Sequence, residues 1–79
     1  MSDSQNISDE VRARLRAIPS VNELLTEWPV VKAAGETCDA VVHAAVTAEL
    51  DEERAAIRAG AAPRSKRELA SAIEFRAHR

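Results

Sequence analysis

Thr37-Cys38-Asp39-Ala40-Val41-Val42-His43-Ala44-Ala45-Val46-Thr47-Ala48-Glu49-Leu50-Asp51-Glu52-Glu53-Arg54-Ala55-Ala56-Ile57-Arg58-Ala59-Gly60 is the stretch that decides the fold. From Cys38 to Ala59 it runs 22 residues without a glycine or a proline, and Gly60 stands where a helix-ending glycine belongs. The stretch predicts one helix over 38–59, a rod of about 33 Å capped by Thr37. Val41, Val42, Ala45 and Val46 give its first half an apolar stripe. In the second half only Leu50 and Ile57 continue that stripe. The crowded carboxylates Glu49, Asp51, Glu52 and Glu53 read there as a solvated face.

Shorter elements precede this rod. Ser8 followed by Asp9 and Glu10 suits a helix start, and Val11, Leu15 and Ile18 recur at helical spacing, which predicts a helix over about 9–17 ended by Pro19. Ser20 with Glu23 forms a capping box for a second helix presenting Val21, Leu24 and Leu25. Pro29 suits the first position of a third, short helix through Ala34, with Gly35 as its left-handed end. After the long rod, Gly60-Ala61-Ala62-Pro63 reads as a hinge, and Ser65 with Glu68 opens a last helix with Leu69, Ile73 and Phe75 on its apolar face. That helix shows no stop signal before Arg79, so the sequence looks cut from something larger. The expected fold is all-α, a small bundle of four to five helices, one of them long, with a C-terminal linker helix. The expected division is a disordered tail over 1–7, a helical domain over 8–62 and the linker helix over 63–79, leading toward a missing catalytic core.

Composition excludes several function classes. A chain of 79 residues forms one domain with a thin core, and 16 of its apolar residues are alanines. No deep substrate pocket is expected. The single Cys38 rules out an internal disulfide, and no Cys/His group has zinc-ligand spacing, so no metal site is expected. No apolar run reaches membrane-spanning length, and the first residues carry no targeting signature, which points to a cytoplasmic protein with no membrane role. Catalytic candidates are few. His43 has no nucleophile or acid in a triad-like relation to it and reads as a surface histidine; Cys38 reads as a small residue facing the core. With two glycines there is no phosphate-cradling loop. No catalytic residue is assigned.

Charge becomes informative when it is partitioned. Residues 1–53 hold 11 acids and 4 basic residues, whereas residues 54–79 hold 2 acids and 7 basic residues. Arg54, Arg58, Arg64, Lys66 and Arg67 follow one another with no acid between them. Arg54 and Arg58 repel at i, i+4 on one helix face. Lys66 and Arg67 fall in the first turn of the last helix, where the helix dipole disfavours cations. An anion would relieve both conflicts. Arg12 and Arg16 form a second doublet on one face, diluted by Asp9 and Glu10.

The segment Leu15-Arg16-Ala17-Ile18-Pro19-Ser20-Val21-Asn22-Glu23-Leu24-Leu25 resembles the opening motif of bacterial L-seryl-tRNA(Sec) selenium transferase, the selenocysteine synthase. That motif typically reads Leu/Ile-Pro-Ser-Val-Asp-x-Leu-Leu, and the chain departs from it at Asn22. The order of Gly35, Arg58 and Gly60 keeps step with the family, closely over residues 12 to 60 and loosely beyond. The resemblance implies an N-terminal domain that recognises selenocysteine tRNA around its D-arm and delivers the seryl end to a separate pyridoxal-phosphate domain. It implies no cofactor in this chain, pyridoxal phosphate in the parent enzyme, and a parent that is a homo-oligomer. The RNA-facing residues expected are Arg54, Arg58, Arg64, Lys66, Arg67, Arg12 and Arg16, with the hinge group leading and the Arg12/Arg16 pair mattering less. The alternative is a protein-interaction or assembly module of a pyridoxal-phosphate enzyme, docking through exposed apolar residues at Leu50, Ile57, Leu69 and Ile73.

Overall fold

A computed structural model describes residues 9–79 and contains five helices and no strand among them. They are α1 (Asp9–Arg16), α2 (Val21–Leu25), α3 (Trp28–Glu36), α4 (Asp39–Arg58) and α5 (Lys66–Ala77). The all-α class and the single long helix follow the sequence reading. The tail over 1–7 and the Ser8 cap lie outside the described residues.

Local chemistry accounts for most of the boundaries. Both capping boxes form: the Ser20 hydroxyl accepts from the Glu23 amide while the Glu23 carboxylate accepts from the Ser20 amide, and Ser65 and Glu68 repeat the arrangement at the start of α5. Gly60 ends α4 with φ of 107°. Its amide donates to the Ile57 carbonyl and that of Ala61 to the Ala56 carbonyl, so the orphan carbonyls of the last turn are satisfied. A residue with a Cβ would be strained at that φ.

The link between α3 and α4 differs from expectation. Helix α3 runs through Gly35, which has no positive φ, and ends at Glu36. Thr37 closes it instead, because its amide and its hydroxyl both donate to the Ala33 carbonyl. Thr37 is thereby unavailable to cap α4. Cys38 takes the N-cap position without a side-chain hydrogen bond and is exposed, so it does not face the core.

The core is aliphatic and continuous from α2 to α5. Leu24, Val30, Ala33, Val42, Ala45, Val46 and Leu50 pack with Leu69, Ala70, Ile73 and Ala77. Helix α5 folds back over α3 and α4, so packing does not break at residue 62. Burying a side chain such as Leu69 or Ile73 stabilises the fold by roughly 1.5–3 kcal/mol. Both aromatic residues lie outside this core: Trp28 and Phe75 are each 70% exposed. Phe75 thus departs from the apolar face expected of it, and Val41 is likewise exposed while its neighbour Val42 is buried.

The second half of α4 is the largest correction. Asp51 and Glu52 are solvated as expected, but α5 covers the other side of this half: Leu50 and Ile57 are buried, and so are Glu49 and Glu53, at 5% and 3% exposure. Residues 42, 46, 49, 50, 53 and 57 are spaced by threes and fours. The two carboxylates therefore belong to the same inward stripe as the aliphatic side chains.

Candidate nucleic-acid interface

Two buried carboxylates must find cations, and the basic residues of the hinge supply one of them. The Arg64 amide and Nε donate to the two oxygens of Glu53, each at 2.8 Å, and its guanidinium reaches Glu49 Oε2 at 2.8 Å. Arg76, in the last turn of α5, donates from Nε to Glu49 Oε1 at 2.9 Å and also binds Glu52. Every oxygen of Glu49 and Glu53 thus has a donor. Burial works against ionisation of Glu49, but the hydrogen bonds from Arg64 and Arg76 outweigh it and hold its carboxyl below the usual range. Burial likewise opposes the Arg64 charge, and its bonds to Glu53 and Glu49 raise its pKa despite this. One carboxylate, Glu49, ties both ends of α5 to α4.

The eleven lysines and arginines divide into two groups on this basis. Arg14 pairs with Glu10 at 2.6 Å and reaches the carbonyls of Gly60 and Ala61 at 3.4 and 3.5 Å, fastening α1 to the turn after α4. Lys32 pairs with Glu74, and Arg54 with Asp51 at 3.2 Å. Arg64 and Arg76 form the buried network. Among the described residues, Arg12, Arg16, Arg58, Lys66, Arg67 and Arg79 are exposed, and their side chains have no ion pair or hydrogen bond.

The structure brings some of the expected RNA-facing residues together. An open groove of about 600 Å³ runs between the α1–α2 link and the start of α5. Arg16, Ala17, Ile18 and Pro19 line one side; Pro63, Arg64, Ser65 and Lys66 line the other. The acids at its edge, Glu23 and Glu68, are both engaged in capping boxes, whose backbone hydrogen bonds from Ser20 and Ser65 lower their pKa values. Arg16 and Lys66 therefore line one groove, which the sequence could not show, since they stand 50 positions apart. Arg58, at the last residue of α4, and Arg67 do not line this groove. Arg64 lines it but spends its guanidinium on Glu49 and Glu53.

Other candidates are placed more simply. His43 is exposed on the rim of a shallow apolar depression of about 350 Å³ with Leu25, Val30, Val31, Ala34 and Val42. Lys32 and Lys66 are both exposed. Leu50, Ile57, Leu69 and Ile73 are fully or almost fully buried, so they offer no docking surface of the kind the alternative reading required. No helix among the described residues is long and apolar enough to cross a membrane.

Residues 15–54 match the family described as selenocysteine synthase N terminal, which is half of the chain. The chain belongs to that family. The match runs from the last turn of α1 through most of α4, and so takes in the Ser20 capping box, the Thr37 junction and both buried glutamates. Within this selenocysteine synthase N-terminal domain, Arg16 and Arg54 fall inside the matched segment, whereas Arg12, Arg58, Arg64, Lys66 and Arg67 lie outside it. No curated protein and no solved structure matches the chain.

Proposed function

We propose that this domain binds selenocysteine tRNA, at its D-arm region, so that a separate pyridoxal-phosphate domain of the parent enzyme can convert the seryl group. Family membership supports the biosynthetic context. The observation that carries the RNA reading is the division among the basic residues: Arg16 and Lys66 flank one open groove with no ion pair or hydrogen bond of their own, Lys66 feeling only the charge of Glu23, and Arg12, Arg58 and Arg67 are likewise exposed and form no ion pair. Helical RNA is recognised largely through phosphate, ribose and shape, which calls for rigidly held cations rather than a pocket. Arg12 lies one turn before Arg16 on α1, and Arg67 next to Lys66 on α5.

On this reading the cationic surface is Arg12, Arg16, Lys66 and Arg67, with Arg58 outside the groove. Arg64 holds the surface in shape, and Arg54 is neutralised by Asp51. The Arg12/Arg16 pair moves from a minor to a central position. The domain itself is non-catalytic and takes no cofactor; its protein partners are the catalytic core and, through it, other subunits of a homo-oligomer. The test is a titration of labelled selenocysteine tRNA and an elongator serine tRNA at two salt concentrations. Each phosphate contact contributes about 0.7–0.9 to the slope of log affinity against log salt. Replacing Arg12, Arg16, Lys66 and Arg67 with alanine should weaken binding and flatten that slope. Unchanged affinity and slope in this variant would overturn the proposal.

A further inference from the structure

Helices α3 and α5 run side by side in the same direction. The contacts between them advance by one turn on both: Lys32 meets Glu74 at 3.5 Å, and Glu36 meets His78 Nε2 at 3.0 Å. Their C-terminal ends consequently lie together, with Glu36 the last residue of α3 and His78 the C-cap of α5. Each helix end carries a partial charge of roughly −0.5. Two such ends placed side by side repel, and the carboxylates of Glu36 and Glu74 add to the same negative potential. The Lys32 ammonium on Glu74 offsets part of this potential, and a cation held between the side chains would offset the rest.

The side chains at this point are chemically suited to a metal. One ligand atom each from Glu36, Glu74 and His78 lies within 4.8 Å of the others. A tetrahedral ion with bonds of about 2.1 Å needs ligand atoms roughly 3.4 Å apart. All three side chains are at least partly exposed and can close that difference by small rotations. Glu74 and His78 are i, i+4 on one face of α5, the spacing that puts two ligands on successive turns. We propose that Glu36, Glu74 and His78 bind a divalent transition-metal ion, zinc in preference to magnesium or calcium, which fastens the end of α3 to the end of α5. Imidazole with carboxylate favours zinc, whereas magnesium and calcium favour oxygen-only sets. Three protein ligands leave a fourth position for water. The site departs from the absence of metal expected from sequence, because Glu36 lies 38 residues before Glu74 and no spacing rule connects them.

Lys32 gives the proposal a distinguishing prediction. Its ammonium competes with the ion for Glu74, so Lys32→Ala should tighten metal binding, an effect that an ion-pair cluster alone does not produce. The experiment uses the tag-free chain, titrated with zinc chloride by calorimetry, and Co2+ as a spectroscopic probe of ligand geometry. Expected are one zinc per chain, a melting midpoint that rises with zinc, and a visible cobalt band. His78→Ala and Glu74→Gln should each lose about tenfold or more in affinity. His43→Ala should bind as the parent does, and excess magnesium should not compete. The proposal is overturned if no saturable zinc binding appears below millimolar concentration, if His78→Ala binds like the parent, or if Lys32→Ala weakens binding.

Discussion

Arg64 and Lys66 stand two residues apart at the start of α5, yet they belong to different parts of the molecule. Arg64 faces the α4–α5 seam, where Glu49 and Glu53 are buried and bind its guanidinium and its amide. Lys66 lines the groove that Arg16 also lines, where Glu23, held in its capping box, feels the Lys66 charge without forming an ion pair with it. The difference shows that a basic cluster in a sequence cannot be assigned to a ligand until the buried acids are found. Buried carboxylates claim cations first, since leaving one unpaired in the interior costs far more than leaving a lysine in water.

The largest expected effect comes from breaking the seam. Arg64→Ala leaves Glu53 buried without its cation and removes one of the two partners of Glu49, and should destabilise the domain by about 2–4 kcal/mol in a denaturant titration. Arg64→Lys should recover only part of this, because an ammonium cannot reproduce the forked contacts to two carboxylates. A loss below about 0.5 kcal/mol for Arg64→Ala would show that Arg64 is as free as Lys66, and the contrast between them would collapse.

Acidification tests the same seam without mutation. The carboxyl of Glu49, and those of Glu23 and Glu68 in the capping boxes, are held below their unfolded value of about 4.3. Such groups contribute stability that is fully present above the unfolded pKa and is lost as pH falls through the folded pKa. Melting midpoints should therefore be nearly constant from pH 7 to about 5 and decline below about 4.3. The decline should be shallower in Arg64→Ala, where one of the groups that lowers the Glu49 pKa is gone. An equally steep decline in that variant would assign the acid sensitivity to the capping boxes.

What could be read from sequence sorts by the range of the interaction that decides it. Both capping boxes, the Gly60 stop and the length of α4 rest on contacts within four or five residues, and all were legible. The end of α3 was not: Gly35 is the expected stop and Thr37 the expected cap of α4, but the Thr37 hydroxyl binds the Ala33 carbonyl and closes α3 instead. The fate of Glu49 and Glu53 depends on α5 returning over α4, with partners 11 to 27 residues away. Their 3–4 spacing with Val42, Val46 and Ile57 was the available signal, masked by the surrounding Asp51 and Glu52. The placement of Arg16 and Lys66 along one groove had no sequence signal at all.

Ser65 sits between the two regions and should show an intermediate effect. Its hydroxyl accepts from the Glu68 amide at 3.1 Å, and it joins Arg64 to the first turn of α5. Ser65→Ala should cost about 1 kcal/mol, with Ser20→Ala costing a similar amount at α2. If Ser65→Ala costs as much as Arg64→Ala, the cap and the seam act as a single unit; additive losses in the double variant would show them to be separate.

The smallest expected change in stability belongs to Arg16 and Lys66 themselves. Neither side chain makes an ion pair, both are exposed, and Lys66 lies in the first turn of a helix, where its charge is slightly unfavourable. The double variant Arg16→Ala/Lys66→Ala should therefore unfold within about 0.5 kcal/mol of the parent, and the Lys66 substitution alone should be near neutral, the unfavourable first-turn position offsetting its attraction to Glu23. This near-zero value carries the comparison. Paired with a flattened salt dependence of tRNA binding, it would mean that these residues are retained for a ligand, because the fold gains nothing from them. A loss of 1 kcal/mol or more in the double variant would instead place Arg16 and Lys66 in the same structural class as Arg64, and the groove between them would be a packing seam.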